Sequence, residues 1–242
     1  MNLRIACLTV LFALPTIIPR RKKYEMSWLW VIIVLALFFT MGALGAMFGA
    51  GISNNGWLGI RLYGLIMFEF ISVYLVSWWK KAPPQQVGDY VAAPIASLCA
   101  GAKVNCMVLD CCWGFLLYEN EVQQIEIYFP SVLMEIAMWL TLAVVLVIFE
   151  KKKTVDGLLF PIMAIWFGFL RYIAGFFRGA STEHTPFVLW IPAGRFWSLV
   201  VSAMGFVLLW FWLKKQLERK PNVKEMLRVC IGKSPVPAPQ ND

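Results

Sequence analysis

Long apolar runs constrain this chain more than any other feature of its sequence. Several approach or exceed the ~18 residues that cross a bilayer as a helix, and they carry few charges. In lipid a single segment satisfies its backbone hydrogen bonds only as a helix, so each run predicts one. The chain is 60% hydrophobic and 15% charged, which excludes an ordinary soluble domain. We predict an all-α integral membrane protein with seven transmembrane helices, at residues 3–18, 27–48, 57–79, 90–106, 131–149, 157–177 and 194–213.

The basic residues predict the orientation of these helices. Clusters at residues 20–23, 80–81, 151–153 and 214–220 all fall on one side of the membrane. The loops at residues 49–56, 107–130 and 178–193 fall on the other side and contain Arg178 but no lysine. The excess of positive charge in short cytoplasmic loops therefore places the N-terminus outside and the C-terminus in the cytoplasm. The net charge of +8 thus reports topology, and we expect no nucleic-acid partner.

Two regions follow from the composition along the chain. Residues 1–220 form the seven-helix transmembrane domain. Residues 221–242 end in the polar, proline-rich sequence KSPVPAPQND, and we expect them to form a disordered cytoplasmic tail.

Ionisable residues inside the predicted helices are costly, at about 2.5–3.5 kcal/mol each on insertion scales. Arg61 and Arg195 lie near helix ends, where snorkelling of the side chain to the interface accounts for them. Lys103 and Arg171 lie deeper, so we favour an interior polar site, in which Glu135 is a possible partner for either cation. Glu69 is a further acidic residue within a helix.

The cations of this interior site predict its ligand class. Lys103, Arg171, Arg178 and Arg195 would make a strongly cationic pocket that opens to the outer leaflet. Such a pocket suits the phosphate of a lipid head group, and the planar guanidinium of arginine suits it best.

The segment NCMVLDCCWG, residues 105–114, holds three of the six cysteines. Cys106, Cys111 and Cys112 lie on the predicted outer side, where an oxidising environment permits a disulfide. A zinc site needs four ligands at recognisable spacing, and the single histidine, His184, lies in a distant loop. We rank structural thiols first, a disulfide second, and reactive or metal-bound thiols third.

The same cysteine segment carries part of a resemblance to a known family. AKVNCMVLDCCWGF is similar to a signature of the type GRxGNFxNGExWGR, with Lys103 at the arginine, Cys106 at the asparagine and Cys111 at the glutamate. The tryptophan and Gly114 match. The segment is also similar to the pattern GCFxxGCCYG, found in a paralogous branch.

Two further motifs follow in the same order. FPSVLME is similar to HPSQLYE and keeps Ser131 and Glu135. FGFLRYIAGFFR is similar to YGxxRxxxExxR and keeps Arg171 and Arg178, with Gly175 in place of the acidic residue.

Upstream, GISNNGW is similar to GxSxHGG, with Asn55 at the histidine, and GRFWSL is similar to the opening GQxLSL of the last helix. Together these motifs resemble the prolipoprotein diacylglyceryl transferases of bacterial plasma membranes. The resemblance implies a seven-helix enzyme with an outside N-terminus. Its members move a diacylglyceryl group from phosphatidylglycerol to the cysteine thiol of a lipoprotein precursor, and glycerol phosphate leaves.

The resemblance also implies partners and site residues. We expect phosphatidylglycerol or a similar anionic phospholipid as substrate, a lipobox-bearing precursor protein as acceptor, no cofactor, no metal, and a location in the bacterial inner membrane. The implied catalytic residues are Lys103, Arg171, Glu135, Cys111 and Asn55, and the implied substrate-binding residues are Arg178, Arg195, Cys106, Ser131 and Gly114.

Two alternatives use the same residues differently. The chain is then either a non-catalytic membrane protein that binds a phospholipid or another anionic amphiphile, or a membrane thiol redox protein. In the first alternative, the cationic residues bind the lipid but no reaction follows. In the second, Cys106, Cys111 and Cys112 carry the redox chemistry.

Overall fold

The protein is a bundle of long helices with two short β-hairpins. The computed structural model describes residues 3–53, 61–108, 112, 114–120, 125–152, 156–178, 187–188 and 190–235. The helices are α1 (Leu3–Ile17), α2 (Trp28–Ser53), α3 (Arg61–Lys80), α4 (Pro84–Val108), α5 (Ser131–Lys151), α6 (Leu159–Phe177), α7 (Ala193–Leu217) and α8 (Val223–Cys230). The strands are β1 (Leu116–Asn120), β2 (Ile125–Tyr128), β3 (Phe187–Val188) and β4 (Ile191–Pro192).

Each apolar run that predicts a helix contains one, so the structure is mostly helical as expected. Within the described residues, four helices are long and apolar enough to cross a membrane: Pro84–Val108, Ser131–Lys151, Leu159–Phe177 and Gly194–Leu217. Helix α4 begins six residues before the predicted start at residue 90. Its polar first turns, which include Asp89, are buried by contacts from other helices.

Two of the three loops predicted on the outer side, at residues 107–130 and 178–193, contain antiparallel hairpins, which the all-α prediction did not include. β1 pairs with β2 in a register that sets Glu119 opposite Glu126, and β3 pairs with β4 with Phe187 opposite Pro192. The strand sequences LLYEN and IEIY are rich in aromatic and apolar residues that favour strands. Both hairpins lie where α4 and α6 end and α5 and α7 begin, and we call this end of the bundle the hairpin end.

The segment assigned to a disordered tail contains α8, a difference from the sequence-based expectation. A capping box starts the helix, since Asn222 Oδ1 accepts from the backbone N–H of Lys224 at 3.4 Å and Glu225 Oε2 accepts from that of Asn222 at 2.8 Å. Met226, Val229 and Cys230 are buried. A helix this short forms because it docks on the bundle, which composition does not reveal. Residues 236–242 lie outside the described part.

Helix α6 lies at the centre of the packing and contacts α4, α5 and α7. Its closest approach is to α7 at Gly168. A Cβ at this position would lie 2.3 Å from both the carbonyl oxygen of Ser198 and the hydroxyl of Ser202. Gly205 on α7 is equally tight, because a Cβ there would lie 2.8 Å from the backbone nitrogen of Ile165. Small residues at these points let the two helix backbones come together.

A buried ionic network joins four helical segments at the opposite end, which we call the basic end. The guanidinium of Arg20, just after α1, donates to Glu150 Oε2 on α5 at 2.6 Å. It also donates to the carbonyls of Asp89 and Tyr90 on α4, at 2.6 and 2.9 Å. The Asp89 carboxylate accepts from the backbone N–H groups of Gly157 and Leu159, at 2.5 and 2.8 Å. Asp89 therefore caps the start of α6 from a neighbouring helix.

Replacing the Asp89 carboxylate should destabilise the bundle. In Asp89→Ala, two buried N–H groups at the start of α6 lose their acceptor, which costs about 1–3 kcal/mol each. We expect a lower midpoint of thermal unfolding for the detergent-purified protein, followed by tryptophan fluorescence. The matched control is Asp156→Ala, whose carboxylate is 53% exposed and lies 3.9 Å from Lys23. Equal midpoints for the two variants would contradict the remote capping role.

Candidate functional site

A single buried carboxylate gathers three cations near the hairpin end. Glu135 Oε2 lies 3.0 Å from Lys103 Nζ and 2.9 Å from a terminal guanidinium nitrogen of Arg171. Glu135 Oε1 accepts from Arg178 Nε at 2.8 Å. The Glu135 side chain is 1% exposed, whereas the Arg178 side chain is 29% exposed. We call these four residues the Glu135 cluster.

Three helices place these side chains together because each presents its charge close to the same end. Lys103 lies five residues before the end of α4, and Glu135 is the fifth residue of α5. Arg171 lies on α6, and Arg178 is the extended residue that ends it. A seven-residue spacing sets both arginines on one side of that helix. A cation at a helix C-terminus is also favoured by the helix dipole.

The charges of the Glu135 cluster do not balance. Three cations against one carboxylate leave a surplus of two positive charges. Lys103 and Arg171 are 8% and 9% exposed, so neither side chain faces lipid. Burial makes such cations costly unless an anion compensates them. Arg178 is the most exposed member, so a ligand would approach the surplus charge from the Arg178 side of the cluster.

The base of the β1–β2 hairpin packs directly against the cluster. Gly114 forms an isolated antiparallel bridge with Arg178, and its N–H donates to the carbonyl of Phe129 at 3.1 Å. A Cβ at Gly114 would lie 2.2 Å from that carbonyl oxygen, so only glycine fits. Ser131, the first residue of α5, donates from its hydroxyl to the carbonyl of Cys112 at 2.8 Å. Gly114 and Ser131 therefore shape the backbone around the cations.

An aromatic stack borders the same region and was missed by the sequence analysis. The rings of Phe115 and Phe129 stack with centroids 5.3 Å apart, and Phe129 and Phe177 stack at the same distance. Phe129 is the first residue of FPSVLME, at the histidine of the family pattern, and Phe177 precedes Arg178. No spacing in the sequence predicts that three phenylalanines from separate segments meet.

Arg195 lies outside the Glu135 cluster, against the last turns of α6. A terminal guanidinium nitrogen donates to the carbonyl of Gly175 at 3.2 Å, and the guanidinium lies 3.9 Å from the centroid of the Phe176 ring. A Cβ at Gly175 would lie 3.0 Å from Arg195 Cγ. The arginine thus packs beside the glycine that replaces the acidic residue of the motif. Within the described part of the chain, its buried Nε has no hydrogen-bond acceptor.

The remaining predicted site residues are less constrained. Cys106 lies three residues beyond Lys103 on α4 and is half-buried. Asn55 and Cys111 lie outside the described residues. The structure therefore brings together Lys103, Glu135, Arg171 and Arg178, and sets Gly114 and Ser131 beside them.

A second buried acid extends the charged region deeper into the bundle. Glu69 on α3 is 4% exposed, and no donor among the described residues reaches its Oε2. Cys99, a free thiol, lies one turn before Lys103 on α4. The sequence already showed Glu69 inside a predicted helix, and the structure shows that its side chain is buried.

The sequence profile described as prolipoprotein diacylglyceryl transferase matches residues 31–211, three quarters of the chain. The chain belongs to this family. The matched region contains the whole Glu135 cluster together with Gly114, Ser131 and Arg195. The resemblance drawn from the motifs is therefore confirmed.

Two named relatives agree with this assignment. Both are phosphatidylglycerol–prolipoprotein diacylglyceryl transferases of Ehrlichia ruminantium, from the strains Welgevonden and Gardel, and each is 30% identical over 98 residues. The match covers 40% of this chain and 36% of each relative, so the chain matches about a third of the relatives' length.

Neutralising Glu135 should destabilise this family member strongly. Glu135→Gln keeps the shape of the side chain but leaves three cations without an anion, and breaking a buried pair costs about 3–5 kcal/mol. We expect a lower thermal unfolding midpoint in detergent. The control, Glu119→Gln, removes an exposed carboxylate on β1 and should shift stability by about 0.5 kcal/mol or less.

A double variant separates charge repulsion from lost packing. In the Glu135→Gln background, Lys103→Met removes one of the uncompensated cations, so part of the lost stability should return. No recovery in the double variant would show that the cations do not depend on Glu135 for their charge balance.

Proposed function

We propose that this protein is a membrane transferase that moves a diacylglyceryl group from phosphatidylglycerol to a cysteine thiol. The observation that carries the proposal is the Glu135 cluster, a buried carboxylate with three cations and a surplus of positive charge, within a chain of the diacylglyceryl transferase family. Membership of the family supports the reaction, and the surplus charge of the cluster supports a phosphate beside it.

Charge complementarity supports a phosphate beside the cluster. A phosphodiester would compensate part of the surplus charge that Glu135 leaves, and arginine forks match phosphate oxygens in two-point contacts. Arg178, the most exposed member, would meet the phosphate first. Arg195, whose Nε has no acceptor within the described residues, would be a further donor.

The cations would act on the bond that breaks. The thiol sulfur forms a bond to the terminal glyceryl carbon of the lipid, and the bond from that carbon to the phosphate oxygen breaks. Glycerol phosphate leaves with the electron pair, and the proton of the thiol is released. Lys103, Arg171 and Arg178 would stabilise the charge that develops on the departing phosphate. Glu135 acts as a positioning residue, because it holds all three cations in place.

Thiol activation would rely on the same positive field. The motif comparison sets Asn55 at a histidine, Cys111 at a glutamate and Gly175 at an acidic residue. Near cations a thiol ionises more readily, so the surplus charge would favour the attacking thiolate. Cys106 lies beside Lys103 and would line the path of the incoming thiol.

The reaction also implies an arrangement in the membrane. We infer that α1, α2 and α3 cross the bilayer together with the four long apolar helices, as residues 1–220 in seven spans. The N-terminus would then lie outside, the C-terminus in the cytoplasm, and the hairpin end at the outer face of a bacterial inner membrane. The lysine- and arginine-rich segments at the basic end support this orientation.

A second candidate function is phospholipid binding without turnover. The packing of Arg195 against Gly175 favours this function. The family motif has an acidic residue at this position, whereas here a cation lies beside a glycine. In this case the site would hold an anionic lipid and lack the group that accepts the proton.

One assay separates the two functions. Purified protein is incubated with phosphatidylglycerol labelled in its acyl chains and with a lipobox peptide, and transfer of label to the peptide is measured. We expect transfer by the wild type, and a loss of about tenfold to a hundredfold in Arg171→Ala, since a charge-assisted hydrogen bond contributes about 1.5–3 kcal/mol. Lys215→Ala, an exposed cation at the basic end, is the control.

Lipid retained through purification completes the test. Phosphatidylglycerol that co-purifies with the wild type and is lost in Arg178→Ala, without any transfer to the peptide, would support the binding function. Transfer at the wild-type rate by Arg171→Ala would remove the role of the cluster in the reaction.

A further inference from the structure

Helix α8 exposes an apolar stripe that none of the described residues covers. Val223, Leu227 and Ile231 are 67%, 52% and 50% exposed. Their four-residue spacing sets them in one row along the helix. The adjoining side of the helix, with Met226, Val229 and Cys230, is buried against the bundle. The exposed row is therefore a second apolar surface, distinct from the one that docks the helix.

The docking contacts fix which way the exposed row faces. The indole N–H of Trp166 on α6 donates to the carbonyl of Cys230 at 2.9 Å. Just after the helix, a Cβ at Gly232 would lie 2.5 Å from the Phe149 ring of α5, and φ there is +73°. Only glycine fits at this position. Because both neighbours belong to other helices, α8 cannot rotate to bury its exposed row.

Basic residues lie beside the apolar row. Lys224 and Arg228 are exposed and follow Val223 and Leu227 by one position each, so they form a parallel row. Lys220 and Lys233 are exposed at the two ends. The one acidic residue of the helix, Glu225, faces away and is paired with Arg219 at 2.5 and 3.1 Å. The exposed surface of α8 thus carries positive charge alone.

We propose that α8 lies in the membrane interface at the basic end, with Val223, Leu227 and Ile231 among the acyl chains and Lys220, Lys224, Arg228 and Lys233 against anionic phospholipid head groups. An amphipathic helix with apolar residues beside lysine and arginine binds such a surface. Helix α7, which is long and apolar enough to cross a membrane, ends at Leu217, only a short link before α8 begins. The apolar row is thus held next to lipid.

This surface is independent of the Glu135 cluster and of the reaction proposed for it. The cluster lies near the hairpin end, whereas Gly232, just after α8, packs against Phe149 at the basic end, where α5 finishes. The lipid bound by α8 is a structural partner that is held by its head group and chains. The helix would set the depth and tilt of α6 and α7 relative to that leaflet.

Labels on the two rows test the proposal in the full-length protein. Cys106, Cys111 and Cys112 are replaced by serine, and single cysteines are introduced by Leu227→Cys or, as the matched control, Arg228→Cys. Each is labelled with an environment-sensitive fluorophore in nanodiscs containing phosphatidylglycerol. We expect the label at position 227 to emit at shorter wavelength and to be quenched by brominated acyl chains. The label at position 228 should be quenched by aqueous iodide instead. The background without an added cysteine corrects for labelling elsewhere.

A second measurement uses the unlabelled wild type. Hydrogen exchange in α8 should be slower in nanodiscs with phosphatidylglycerol than with phosphatidylcholine. High salt, or Lys224→Gln with Arg228→Gln, should remove that difference, because the head-group attraction is screened or lost. Two results would overturn the proposal: equal iodide quenching at positions 227 and 228, or exchange that does not depend on lipid charge. Protection of position 227 in native membranes but not in nanodiscs would assign the row to a protein partner and would also overturn it.

Discussion

The Glu135 carboxylate is the contact on which the hairpin end of this protein depends. It is reached by Lys103 from α4 and by Arg171 and Arg178 from α6, while Glu135 itself belongs to α5. Burying three cations would be prohibitive without it. Even with it, charge remains uncompensated, so the contact that holds three helices together also leaves the surplus positive charge on which the proposed phosphate site rests.

The two ends of the bundle use buried charge in opposite ways. At the basic end, Arg20 and Asp89 meet carbonyls, backbone N–H groups and Glu150, so the charges satisfy one another within the protein. In the Glu135 cluster, by contrast, three cations share one carboxylate, and the most exposed of them, Arg178, is bridged to Gly114 at the base of the β1–β2 hairpin. The first arrangement closes the bundle. The second leaves positive charge uncompensated, and this surplus is the basis of the proposed phosphate site.

Much of this fold could be predicted from the sequence, because a membrane restricts a long apolar run to a helix. Seven runs predicted seven helices, and the cost of buried charge correctly suggested that Glu135 pairs with Lys103 or Arg171. The early start of α4 and the existence of α8 were not predictable. Both segments look polar, and they are helical because of contacts with distant residues such as Arg20 and Trp166. The meeting of Phe115, Phe129 and Phe177 likewise depends on the hairpin, which no short motif encodes.

The tight contact between α6 and α7 has a mechanical consequence. Since the space around Gly168 and Gly205 leaves no room for a side chain, the two helices form one rigid pair. Arg171, Arg178 and Arg195 all belong to that pair, whereas Lys103 and Glu135 belong to α4 and α5. If the hairpin end opened between the α6–α7 pair and the α4–α5 pair, Arg171 and Arg178 would therefore both move away from Glu135. The ion pairs to Glu135 therefore oppose any separation of these two pairs of helices.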